Sequence, residues 1–116
     1  MQRILLIAAG LVGAAGVVSA SAASHGAESR NLVAIAAICL SHGPALLALG
    51  LYGRSRALLV AGGALALGTL VFAADLAMRE FTGGGVFPGA APLGGGVMLL
   101  GWFGVALAGV FAGRSN

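Results

Sequence analysis

AICLSHGPALLALG, residues 37–50, is an apolar stretch interrupted by the polar, helix-bending group Ser41-His42-Gly43-Pro44. The apolar character continues outward on both sides to give a run over residues 31–52, about the 20 residues that an α-helix needs to cross a bilayer. Pro44 has no backbone N–H and its ring clashes with the carbonyl of Leu40, so we predict a kink inside this helix. The stretch therefore indicates a bent, membrane-spanning helix with a histidine near its middle.

The composition of the whole chain points to the same environment. Of the 116 residues, 59% are hydrophobic and 8% are charged, and the mean hydropathy is +1.06. A soluble domain carries about 25% charged residues, so this chain lacks the polar groups needed to cover a water-exposed surface. The composition therefore predicts an integral membrane protein in contact with lipid.

Polar residues divide the chain into four apolar runs, each long enough to span a bilayer. We place the spans near residues 4–24, 31–52, 57–78 and 91–112. The runs lack the alternating β-branched pattern of a barrel, so we predict an all-α integral membrane four-helix bundle, with residues 1–116 forming a single membrane domain. The first run also has the basic start and the Ala20-Ser21-Ala22 triplet of a secretory signal peptide. We predict a retained helix there, with a cleaved signal as the alternative.

The residues between the runs are typical of helix ends. Ser29 or Asn31, and then Ser55, are candidate N-caps for the second and third helices. Gly26 and Gly53 follow the first and second runs, as glycines in left-handed C-terminal caps do.

The arginines predict an orientation. The N-terminus, the loop between the second and third runs and the C-terminus share one side of a four-span protein. That side carries Arg3, Arg54, Arg56 and Arg114, whereas Arg30 and Arg79 lie on the other side with Glu28 and Glu80. Basic residues collect on the cytoplasmic side, so we expect both termini to be cytoplasmic. Arginines dispersed between apolar runs are not a phosphate-tracking patch, and we expect no nucleic-acid binding.

Small residues should hold the helices together, because lipid tails are as apolar as leucine and association depends on close packing. Small side chains recur at four-residue intervals on three of the runs. The candidate packing residues are Gly13, Gly16, Gly62, Gly104 and Gly109. They lie on more than one helix face, which favours contacts beyond the four-helix unit. Trp102, near mid-depth, is expected to pack against protein.

The two histidines lie at different depths. His25 ends the first span at a membrane surface, where a helix C-terminus and Gly26 account for it, whereas His42 lies about 11 residues into the second span, roughly 16 Å below that surface. They therefore do not suit a shared haem. Asp75, inside the third span, needs a partner, and we expect His25 or Arg79 to supply it; Arg79 is favoured by its i+4 spacing.

His42 has two interpretations. Ser41 and His42 are the donors nearest to the carbonyl that Pro44 leaves free, so both have a structural role at the kink. The alternative is a histidine that contacts a proton, a ligand or a partner subunit. Cys39 lies three residues from His42 on the same face, but no third ligand is evident and we predict no metal site. With no catalytic constellation and no phosphate-binding glycine motif, we predict a protein that is not an enzyme and has no cofactor.

Four short motifs, in order along the chain, resemble the small membrane proteins grouped as domain of unknown function 423 (YgdD-like). They are Ser24-His25-Gly26, His42-Gly43-Pro44-Ala45-Leu46-Leu47, Gly68-Thr69 and Ala91-Pro92-Leu93-Gly94-Gly95. The chain departs from the family pattern at Pro44, at Ala91, which lacks the capping hydroxyl, and at Val71, where the family has an aromatic residue. It looks like a divergent member. The resemblance implies a four-helix protein of the bacterial inner membrane, and it implies no activity.

Two functions follow from these features. The first is a non-catalytic accessory or assembly subunit that packs against a larger inner-membrane complex; the family's mitochondrial relatives make a respiratory complex the leading example. The alternative is a small homodimeric transporter or channel that uses His42 and Asp75, the ionisable groups within the spans.

Overall fold

The computed structural model describes residues 1–26 and 29–112, and this part of the chain forms four α-helices and no strand. They are α1 (Gln2–His25), α2 (Arg30–Tyr52), α3 (Arg56–Thr82) and α4 (Ala90–Ala112). All four are long and apolar enough to cross a membrane. The predicted all-α, four-helix fold is therefore confirmed. The helix boundaries extend one to four residues beyond the predicted spans at most ends, and α3 extends furthest past its predicted end.

Two of the helix starts have the predicted caps. The Ser29 and Ser55 hydroxyls each accept a hydrogen bond at 3.1 Å, from the backbone N–H groups of Leu32 and Leu58 respectively. In this way each serine satisfies one of the amide groups that a helix start leaves without an intrahelical partner.

The predicted left-handed caps at Gly26 and Gly53 are wrong. Both glycines are extended, with φ −114° at Gly26 and φ −70° at Gly53. α2 begins four residues after Gly26 and α3 three residues after Gly53, and the serines that cap these two helices, Ser29 and Ser55, are also extended. Gly53 is needed for space, because a Cβ there would lie 2.5 Å from the carbonyl oxygen of Leu49. The left-handed cap occurs instead at Gly83, φ 82°, after α3, where a longer loop leads to α4.

The helices form two antiparallel hairpins that pack side by side. In the first, α1 lies against α2, with Gly16 beside Leu40 and Gly50 beside Leu6. In the second, α3 lies against α4, with Gly68 beside Gly94. A buried apolar cluster spans the hairpins and includes Leu5, Val12, Ile35, Leu46, Leu65 and Met98.

The four helices differ in how many neighbours each one has. α3 contacts each of the other three helices, and α1 lies against both α2 and α3. Within the described residues, no Cα of α4 comes within 8 Å of a Cα in α1 or α2. α4 is therefore a peripheral helix whose backbone packs on α3 alone.

Candidate functional site in the membrane interior

His42 lies near the middle of α2 and is 6% exposed. Its Nδ1 is 2.9 Å from the carbonyl oxygen of Ile38 and 3.1 Å from the hydroxyl oxygen of Ser41. The Ser41 hydroxyl donates to the same Ile38 carbonyl at 2.9 Å. These contacts tie one edge of the imidazole to its own helix, one turn before the ring.

The opposite edge of the ring binds α4. The indole N–H of Trp102 donates to His42 Nε2 at 3.0 Å, and the two rings meet edge to face with centroids 5.5 Å apart. An indole nitrogen can only donate, so Nε2 must be the accepting nitrogen and Nδ1 must carry the proton. Both ring nitrogens of His42 are thus used by the chain itself, in one defined tautomer.

The polar side chains beside Pro44 bind a different carbonyl from the one that we expected. Pro44 leaves the Leu40 carbonyl without its usual helical donor, yet Ser41 and His42 both reach Ile38. A side chain on a helix points back toward the N-terminus, so it reaches the carbonyl three or four residues earlier and not one or two. α2 continues as a helix through Pro44, which lies on its exposed face.

A second polar cluster lies at the far end of α3. Asp75 is fully buried, and its Oδ2 accepts from Arg79 Nε at 3.0 Å, whereas its Oδ1 accepts from the backbone N–H of Val86 at 2.8 Å. Arg79 was one of the two partners that the sequence suggested for Asp75. The other, His25, is exposed, with its Nδ1 3.3 Å from the Ser21 carbonyl oxygen of its own helix. Asp75 therefore fixes the loop that leads into α4.

A third polar contact joins the two hairpins at the same end, and sequence reasoning missed it. Glu80 Oε1 accepts from the Ser29 hydroxyl at 2.5 Å and from the Asn31 side-chain amide at 3.4 Å. Ser29 thus caps α2 and also binds α3. Its capping role is visible in the sequence, but Glu80 lies 51 residues away and no local pattern links the two.

Four of the five predicted packing glycines lie where two helices meet, and the fifth, Gly109, does not. Gly16 and Gly62 are buried against Leu40 and Leu5, and Gly13 touches Gly43 across the first hairpin. A Cβ at Gly104 would lie 3.2 Å from the Ala61 Cβ, whereas one at Gly109 would meet nothing within 4 Å. Gly43, Gly50, Gly68, Gly94 and Gly101 make the other close contacts between helices.

The chemistry available at these positions is hydrogen bonding within the protein. Within residues 1–26 and 29–112 no group of three His, Cys, Asp or Glu side chains is placed to hold a metal ion. Every buried side-chain nitrogen and oxygen in the same part of the chain has a hydrogen-bond partner. Asp75, Glu80 and Trp102 therefore connect helices or loops, whereas His25 binds only its own helix.

Fold and site together define a small multi-pass membrane protein with four apolar helices joined by a few buried polar contacts. The family model described as a protein of unknown function (DUF423) matches residues 12–95, most of the chain, and the protein belongs to this family. The matched region contains α2 and α3 with His42, Asp75 and Glu80. No curated protein and no solved structure matched the chain.

Proposed function

We propose that this protein is a non-catalytic subunit of the bacterial inner membrane, with both termini cytoplasmic, which packs as an accessory or assembly factor against a larger membrane complex. A respiratory complex is one example of such a partner. The observation that carries the proposal is a row of three α4 residues, Gly95, Trp102 and Gly109, on the side of α4 where Trp102 reaches across to His42.

Trp102, the middle residue of the row, contacts His42 on α2. The three α4 residues are seven apart, so they share one face of the helix. A Cβ at Gly95 or Gly109 would meet nothing within 4 Å, and Trp102 is 42% exposed. Glycine weakens a helix by about 1 kcal/mol relative to alanine, and here it provides no close contact within the chain. Small residues with open space at their Cβ positions are the surface on which a partner helix packs closely.

The polar groups support a packing role over transport. A homodimeric transporter or channel would need His42 or Asp75 to face a pathway and exchange partners during each cycle. In this protein the imidazole is bound by Ile38 and Trp102, and the Asp75 carboxylate by Arg79 and Val86. Each bond holds a helix or loop in position, as expected of a scaffold.

The charges support the proposed orientation. The end of the bundle at which α1 and α3 begin carries Arg3, Arg54 and Arg56, and the three acidic residues of the chain, Glu28, Asp75 and Glu80, belong by sequence to the other end. The positive-inside rule places the arginine-rich end in the cytoplasm. Cysteine accessibility at Tyr52 and Gly84 in intact cells would test this assignment.

The test of function is isolation from the native membrane in mild detergent, followed by native mass spectrometry. We expect a mass set by a larger complex for the wild-type chain and for Gly96→Leu, and a free chain for Gly95→Leu and Gly109→Leu. Gly96 is the matched control, since it is on the same helix and also has open space at its Cβ, but it lies about 100° around the helix from Gly95. A wild-type protein that is released as a monomer or homodimer would contradict the proposal.

A further inference from the structure

A groove lies on the flank of α4 opposite Trp102, between the first half of α3 and the last half of α4. It measures about 820 Å³, and its walls are formed by apolar residues that include Val60, Ala64, Leu100, Leu107 and Ala108. The helices touch at Gly68 and Gly94, are still close at Ala61 and Gly104, and leave this groove as they separate toward the start of α3.

The polar residues of the groove lie at one end. Ser55 and Arg56 line its mouth, where α3 begins, and Arg56 is exposed. Within the described residues no carboxylate pairs with Arg56, and the acidic residues of the chain belong to the other end of the bundle. The mouth is thus a cationic site that opens directly into an apolar groove.

The length of the groove matches one leaflet. From Ser55 at the mouth to Ala64, its deepest α3 residue, the helix rises about 14 Å. The hydrocarbon core of a bilayer is about 30 Å thick, so one leaflet contributes about 15 Å. A ligand with a negative head at the surface and an apolar chain of one leaflet's length fits both features.

We infer that this groove binds one anionic phospholipid, with an acyl chain along α3 and α4 and the phosphate at Arg56 and Ser55. Basic pockets between transmembrane helices on the cytoplasmic side are suited to anionic head groups. The inference is independent of the proposed partner complex, because that complex is assigned to the other flank of α4.

The experiment is a titration of the purified protein, in mild detergent, with phosphatidylglycerol or phosphatidylcholine of identical acyl chains, read by native mass spectrometry. We expect one phosphatidylglycerol to bind more tightly than phosphatidylcholine. Arg56→Gln should weaken phosphatidylglycerol binding about fivefold, the contribution of one arginine near the surface, and leave phosphatidylcholine unchanged. Arg54→Gln is the matched control, because it removes the same charge two residues away without altering the groove lining.

A second pair of variants tests whether the apolar part of the groove binds the acyl chain. Ala64→Leu fills the deep end of the groove and should weaken both lipids, whereas Ala74→Leu adds the same atoms to an exposed position on α3 outside the groove and should weaken neither. Equal affinity of the wild-type protein for the two lipids, or equal effects of Arg54→Gln and Arg56→Gln, would overturn the inference. So would loss of the partner complex in Ala64→Leu with lipid binding intact, which would assign the groove to a partner helix.

Discussion

The two hairpins of this protein use the same small-residue packing but differ in how much backbone they bring together. In the α1–α2 hairpin, a Cβ at Gly16 or Gly50 would first meet the side-chain ends of Leu40 or Leu6, at 2.9 Å. In the α3–α4 hairpin, a Cβ at Gly68 would lie 2.6 Å from the carbonyl oxygen of Gly94. Both interfaces contain side-chain and backbone contacts, but the backbones come closer at Gly68 and Gly94 in the second than at Gly13 and Gly43 in the first, where a Cβ on Gly43 would lie 3.2 Å from the Gly13 backbone.

The hairpins also differ in their polar contacts. Within residues 1–26 and 29–112, no side-chain hydrogen bond joins α1 to α2, and that pair buries most of the large apolar core residues. The second hairpin has the Asp75–Val86 bond at its loop and a Thr69–Met98 contact across its helices. Polar bonds at Glu80 and Trp102 then join one hairpin to the other.

The comparison separates the role of close packing from the role of hydrogen bonds in a protein whose core does not form by exclusion of water. Small residues allow helices to approach within each hairpin, and the directional hydrogen bonds determine how the loops and the hairpins are arranged. The backbone of α4 packs on α3 alone, and the position of this helix depends on both kinds of interaction.

The largest expected effect is on the stability of the loop between α3 and α4. Asp75→Ala removes the acceptor of the Val86 N–H, and we expect amide exchange at Val86 to accelerate about 100-fold, because a hydrogen bond to a charged acceptor is worth about 1.5–3 kcal/mol and its loss favours opening of the loop. Asp75→Asn keeps one carbonyl oxygen and should accelerate exchange much less. Unchanged protection of Val86 in the alanine variant would show that the loop does not depend on this carboxylate.

The next effect compares the hairpin interfaces directly. Gly68→Ala should cost about 2–3 kcal/mol in unfolding free energy and Gly43→Ala about 1 kcal/mol, because the first meets rigid backbone at 2.6 Å and the second meets Gly13 backbone at 3.2 Å. Equilibrium unfolding in mixed micelles, followed by circular dichroism, measures both. Gly96→Ala is the control, and it should be neutral or stabilising by up to about 1 kcal/mol. A larger cost for Gly43→Ala would reverse the comparison.

A smaller effect distinguishes the two serine caps. Ser29→Ala and Ser55→Ala each remove one N-cap bond, worth about 1 kcal/mol. Ser29→Ala also removes the link to Glu80, and it should cost about 0.6 kcal/mol more, the average for interhelical hydrogen bonds in a membrane. The same unfolding assay applies. Equal costs would mean that the Ser29–Glu80 bond contributes nothing to hairpin docking.

The smallest expected effect is at the His42–Trp102 bond. Trp102→Phe keeps an aromatic ring but removes the indole donor, so we expect a loss of about 0.6 kcal/mol and the appearance of the Nε2–H tautomer of His42. Nitrogen-15 NMR of the imidazole reports the tautomer. Phe103→Leu, the exposed neighbour, should leave the Nδ1–H form dominant. Detection of that form alone in Trp102→Phe would show that Trp102 does not select it.

Much of the local structure could be predicted from the sequence. Helix length follows from runs of about 20 apolar residues, and the Ser29 and Ser55 caps follow from residue type and position. The approach of Arg79 to Asp75 follows from i+4 spacing on one helix. The helix ends at Gly26 and Gly53 were mispredicted because their conformation depends on where the next helix must begin.

The candidate site was predictable only in part. His42 stands out as an ionisable group within a span, but its partner Trp102 is 60 residues away on a helix whose backbone does not touch α2. The Ser29–Glu80 contact likewise joins residues that are far apart in the sequence, 51 residues in this case. Nothing in the spacing of such residues shows which helices lie side by side, and the peripheral position of α4 decides which residues can meet.

The sequence by itself determined that four apolar helices cross a membrane, where they start, and which polar groups within them need partners. Only the tertiary structure decided which faces pack, because the signal that marks an inward face in a soluble protein is absent here. Lipid is as apolar as the protein interior, so leucine does not distinguish inside from outside. Gly16, Gly68 and Gly109 look alike in sequence, yet the first two are buried between helices, whereas a Cβ at Gly109 would meet nothing within 4 Å.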